Sequence, residues 1–153
     1  MGYAVIDDNE LVYFGVHTFK RRRPPRVLVA ESERVVGELV DGSKPNRVLM
    51  GEASAARWKR SPRLRMLIDK MKRSLRRRGV PVTSYSLIDV KKIVAGDRMA
   101  TKRKVIDTLV EAYPYLAKYR ESDAMSGEKY WENMFEAVAL ALTGYHQVAR
   151  RRR

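Results

Sequence analysis

The stretch VPVTSYSLIDVKKIVAGDRMATKRKV, residues 80–105, decides the fold. It opens on Val80, Val82, Thr83 and Tyr85, β-branched and aromatic residues that pack well on a pleated surface and predict a strand. Pro81 lies near the start of that strand, where its missing N–H does least harm. Val90 to Val94 then lead into a loop around Gly96 and Asp97. Thr101 offers a hydroxyl to the free N–H groups of a helix carrying Val105, Ile106, Leu109 and Val110, which stops before Pro114. Strand, loop and capped helix in succession are the unit of a layered α/β domain.

The flanking sequence extends this pattern. Upstream, Ser61 and Pro62 supply a cap and a first-turn proline. Leu64, Leu67, Ile68, Met71 and Leu75 then trace one helical stripe as far as Gly79. Arg47 to Met50, followed by Gly51 and Glu52, is a short apolar run that reads as a strand covered on both faces. Val27, Leu28, Val35, Val36, Leu39 and Val40 recur at helical spacing after the break at residues 20–25, and that helix ends near Asp41 and Gly42. At the front, Tyr3 to Ile6 and Leu11 to Phe19 flank the polar run Asp7 to Glu10, which predicts a hairpin with Asp7 and Asp8 as turn residues. Downstream, Tyr113 to Gly127 is polar and dotted with tyrosines, the pattern of an exposed connection. A last helix is expected from about Glu128 to Val148, with Trp131, Met134, Phe135, Val138, Ala141, Leu142 and Tyr145 on one face. These elements make one domain over residues 1–149 and leave 150–153, four arginines, as a basic tail.

Composition narrows the function. There is no cysteine, which excludes disulfides, thiolate metal sites and cysteine nucleophiles and suits an intracellular, cytoplasmic protein. His17 and His146 stand far apart, with no spacing that suggests the further ligands of a zinc site. No apolar run reaches the ~20 residues of a membrane span, and no membrane partner is expected. Thirty-two Lys and Arg against eighteen Asp and Glu give a net charge of +14. A field of that sign attracts polyanions, because each phosphate neutralised releases condensed counterions. A basic, thermophile-like surface is the alternative source of the same excess.

Between Val80 and Val105 the chain resembles the RuvC family of Holliday-junction endonucleases, through Pro81-Val82, Tyr85, Val90-Lys91, Val94, Gly96, Ala100, Lys102 and Val105 at ungapped spacing. The likeness runs on more loosely through Gly2 to Ile6, Leu11 to Phe19, Pro25-Arg26, Val48 to Glu52, and Glu136 to Ala141. It implies an RNase H-like α/β fold with a mixed central sheet flanked by helices, a homodimer, and a two-metal site, Mg²⁺ or Mn²⁺, that hydrolyses phosphodiesters in branched DNA. Family members carry a metal-bridging aspartate on a strand just before the glycine matched by Gly2. This sequence opens at Met1, so that first strand is expected to be missing.

Two-metal hydrolysis needs several carboxylates around cations about 4 Å apart. By resemblance Glu52 and Glu136 are the catalytic candidates, and Glu52, Glu132 and Glu136 the metal ligands. Glu132 and Glu136 are one helical turn apart, and Asn133 stands where the family has a second aspartate. Solvated helix charges are the competing reading of that glutamate pair. Glu52 is singled out because a charge directly after a buried strand needs a partner or a metal. Lys91 and Lys102 match lysines that the family uses near the scissile phosphate, and Lys104 lies beside them. Arg57, Lys59, Arg60 and Arg63, with Trp58 interleaved, can line a groove and stack on an unpaired base, although Trp58 can equally be a core residue. Lys70, Lys72, Arg73 and Arg76 to Arg78 form a solvated basic face open to phosphates. The expectation is a pseudoenzyme that binds structured or branched DNA or RNA, or serves in a ribonucleoprotein, because lysine and arginine cannot replace a bridging carboxylate. An active metal-dependent endonuclease is the alternative.

Overall fold

A computed structural model describes residues 1–20, 23–52, 61–126 and 129–151. In chain order its elements are β1 (Gly2–Asp7), β2 (Glu10–Val16), α1 (Pro25–Ser43), β3 (Val48–Glu52), α2 (Pro62–Arg77), β4 (Val82–Ser86), α3 (Leu87–Ala95), α4 (Lys102–Ala112), a 3₁₀ turn (Pro114–Leu116), α5 (Ala117–Ser126) and α6 (Glu132–Arg151). The strands pair as two two-stranded sheets, β1 with β2 and β3 with β4. Residues 1–18 and 87–153 form one compact unit and residues 19–86 another. Among the described residues no helix is long and apolar enough to cross a membrane.

The first unit starts with an antiparallel hairpin whose turn residues Asp8 and Asn9 have φ of 43° and 71°. Two successive positive φ values suit the right-handed strand twist of a tight hairpin, and Asp and Asn tolerate them. Val5 faces Tyr13 while Ile6 faces Leu11, so Val12 is an extra residue that bulges the second strand. Helix α6 packs on β1 and supplies much of the core through Met134, Phe135, Val138, Ala139 and Leu142, joined by Leu11, Val90, Ala100, Leu109, Tyr113 and Leu116. Gly2 is required for that packing: a Cβ there would lie 1.8 Å from the Asn133 carbonyl oxygen.

Tyr113 to Gly127 is not an exposed connection. Tyr113 and Leu116 are buried, and the segment folds as the 3₁₀ turn and α5 over its described residues. Tyr113 is buried and Tyr115 stays exposed, and both hydroxyls find acceptors on the hairpin: Tyr113 donates to the Asn9 carbonyl and Tyr115 to the Leu11 carbonyl, both at 3.2 Å. Phe14, Tyr115, Tyr119 and Trp131 continue as an aromatic cluster with ring centroids 4.6 to 5.9 Å apart. Val90 to Val94, read as the approach to a loop, lie inside α3, which ends at Gly96 with φ of 74°. The last helix starts at Glu132, where the Asp123 carboxylate takes the Trp131 N–H at 3.1 Å, and it continues to Arg151. The basic tail is therefore helical in its first half, and Arg152 and Arg153 lie outside the described residues.

In the second unit, Pro24 and Pro25 set the first turn of α1, and Lys44 closes it in the left-handed region with φ of 45°. Ser61 caps α2, accepting from the Leu64 N–H at 3.4 Å, and Pro62 fills the first helical position. Helices α1 and α2 pack together over Val35, Val40, Met71 and Leu75. Strands β3 and β4 run parallel, with Val48 opposite Val82 and Glu52 opposite Ser86. Strand β3 is only half-buried and its last two residues are exposed, so it is not covered on both faces.

Candidate nucleic-acid interface and carboxylate pair

Packing of α4 and α6 brings Lys102 to both glutamates singled out on the last helix. Thr101 starts α4, its hydroxyl accepting from the Lys104 N–H at 3.2 Å, which makes Lys102 the first helical residue. Across from it, Glu132 opens α6 and Glu136 lies one turn on. The Lys102 ammonium donates to Glu132 Oε1 at 2.5 Å and lies 3.3 Å from Glu136 Oε1. The hydrogen bond to Glu132 raises the Lys102 pKa, partial burial opposes it, and Glu136 adds to the rise, so the side chain stays charged at neutral pH. Lys102 lies at a helix N-terminus, where the macrodipole disfavours a cation, and the two carboxylates offset that cost. Glu132 gains from the same effect at its own helix start.

With the Lys102 ammonium on it, the Glu132–Glu136 pair by itself does not fit a pair of divalent cations. Among the described residues no three His, Asp or Glu side chains converge as a cation site. Glu132 and Glu136 hold an ammonium between them. Glu52 belongs to the other unit, at the exposed C-terminal end of β3. Water solvates it there, so the argument that it follows a buried strand and needs a partner lapses. Asp8 is a turn residue as expected, and Asp7 closes the hairpin opposite Glu10.

The candidate phosphate contacts divide between the units. Lys91 is half-buried on α3, and Lys104 is exposed on the first turn of α4, both in the first unit. Arg63 is exposed on α2 in the second unit, and its guanidinium donates to the Arg23 carbonyl. Arg57, Trp58, Lys59 and Arg60 lie outside the described residues.

Sequence reasoning missed the ion-pair role of Lys102. The Thr101 cap placed this lysine on a first turn, but its carboxylate partners sit 30 and 34 residues away and no local spacing announces them. It also missed the aromatic cluster, whose signal was the density of tyrosine between 113 and 131.

No protein-family model and no curated protein sequence matches the chain. Among solved structures it is similar to Thermus thermophilus RuvC, with a TM-score of 0.64 and 18% identity over 93% of this chain and 81% of that one. It is also similar to T. thermophilus RuvC in complex with a Holliday junction substrate, with a TM-score of 0.71 and 20% identity over 93% and 82%. The chain therefore has a RuvC-like, RNase H-like α/β fold, as residues 80–105 led us to expect.

Proposed function

We propose that this is a cytoplasmic nucleic-acid-binding protein that grips structured or branched DNA or RNA by its phosphates and leaves the backbone uncut. One observation carries the reading: in a chain of net charge +14, the acidic pair on α6 is itself occupied by a lysine. A surplus of cations favours a polyanion, and an ammonium among the carboxylates disfavours the divalent ions that hydrolysis needs. Likeness of fold to a protein solved with a Holliday junction supports branched DNA as the first ligand to try. Phosphate contacts alone carry no sequence information and do not separate DNA from RNA, so a place in a ribonucleoprotein fits the same chemistry, as does a homodimer.

The second reading is an active Mg²⁺- or Mn²⁺-dependent endonuclease, favoured by the sequence match of Glu52 and Glu136 to family positions. It needs a further carboxylate and the withdrawal of Lys102. Fluorescence anisotropy with a labelled four-way junction, a linear duplex and a structured RNA tests binding across a salt series. The logarithm of affinity should fall steeply and linearly with that of salt, and Lys91→Ala and Lys104→Ala should each weaken binding without lowering the thermal midpoint. A complex indifferent to salt, or no complex, contradicts the proposal.

A further inference from the structure

We propose that the outward face of α2, through Arg65, Lys72, Arg73 and Arg76, is a track for the sugar–phosphate backbone of a DNA duplex; this rests on the reading of the chain as a binder of branched DNA. Helix α2 holds seven Lys or Arg against a single acid, Asp69. Acids on the neighbouring helix do not neutralise this face. All four acids of α1 are engaged elsewhere: Glu31 with Arg23 at 3.8 Å, Glu33 with Arg77 at 3.8 Å, Glu38 with Arg34 at 2.6 Å, and Asp41 with Arg78 at 2.8 Å. The two α2-side partners in those pairs sit at the helix's C-terminal end. Among the described residues, none of the ion pairs reaches Arg65, Lys72, Arg73 or Arg76.

Geometry matches the ligand. At 3.6 residues per turn, Arg65, Lys72, Arg73 and Arg76 share one side of the helix, and from Arg65 to Arg76 the row runs about 16 Å. One strand of a duplex presents a phosphate every ~3.4 Å of axis, so the row spans about five phosphates. No aromatic residue lies on α2, which removes the stacking platform a single strand would use and favours a duplex. Met71 and Leu75, on a different side of α2, are buried where α1 and β4 pack, so the cationic row lies apart from the helix's own core contacts. Two copies meeting through this face would set like charges against each other, which excludes it as a self-association surface.

The test compares the intact chain with the triple variant Arg65→Gln, Arg73→Gln, Arg76→Gln on a four-way junction and on linear duplex DNA. Loss of three phosphate contacts should lower the slope of log affinity against log salt by about 2.7 and weaken binding at 0.15 M salt by about two orders of magnitude on both ligands. Asp69→Asn should tighten binding a few-fold, a gain that a folding defect cannot imitate. Equal slopes for intact and triple-variant chains, with junction binding preserved, overturn the track and leave the wider proposal standing. Failure of the intact chain to bind the junction, the duplex or a structured RNA overturns both. Tighter binding of the intact chain to phosphatidylserine vesicles or to an RNA duplex than to DNA also overturns the assignment.

Discussion

Replacing Lys102 by glutamine removes the ammonium from between Glu132 and Glu136 while keeping a polar side chain of similar reach. In the intact chain a divalent cation placed between those carboxylates would meet the ammonium about 4 Å away. Two charges against one at that distance repel by roughly 2 kcal/mol in fully water-like screening and by about 8 kcal/mol at the dielectric of a protein surface. With the Lys102 side chain 53% exposed, the lower figure governs, and it corresponds to roughly a thirtyfold change in affinity. The Lys102→Gln chain should therefore bind Mn²⁺ at least tenfold more tightly than the intact chain. Electron paramagnetic resonance of free Mn²⁺ gives the affinity, and paramagnetic broadening of amide signals around Trp131 and Asn133 gives the place. Lys104→Gln, which removes an exposed charge outside the ion pairs of the described residues, should leave both readings close to those of the intact chain. The reasoning is refuted if the intact chain already takes up Mn²⁺ at the start of α6, or if Lys102→Gln leaves its affinity unchanged.

The same lysine sets a pH dependence. Its pKa is raised in the folded chain, so the stability it contributes is complete below the ordinary lysine value of 10.5 and is lost as pH rises through the higher folded value. The urea midpoints of the intact chain and of Lys102→Met should differ by a constant amount between pH 7 and 10, equivalent to no more than about 1 kcal/mol for so exposed a pair, and converge above that. Gly2→Ala puts a methyl group into the Asn133 carbonyl and should cost at least 1–3 kcal/mol of overpacking, read as a lower thermal midpoint and faster hydrogen exchange in the first turn of α6. Thr101→Ala removes the hydroxyl that caps α4 and should cost about 1 kcal/mol in chemical denaturation.

Signals that act within a few residues were legible before any coordinates. The Asp8–Asn9 turn follows from the tolerance of those side chains for positive φ, and the starts of α2 and α4 follow from Ser61-Pro62 and Thr101. Strand β4 and the helix beyond it carried enough of a spaced motif to give the fold. Short elements escaped because their periodicity is brief: α3 is nine residues long, and α5 is ten residues of mostly polar sequence that no apolar stripe announces. The carboxylates were legible as a pair but their occupant was not. Glutamates one turn apart share a helix face by geometry alone, whereas the cation that meets them is chosen by the packing of α4 on α6. Glu52 shows the opposite error, since a run of apolar letters was read as deep burial and the strand proved half-exposed.

The most direct measurement is a denaturing gel of an end-labelled four-way junction after incubation with saturating protein and either Mg²⁺ or Mn²⁺. The account predicts a salt-sensitive complex in which every strand stays full length. Metal-dependent nicks that disappear in Glu52→Gln would contradict it and make this chain a nuclease.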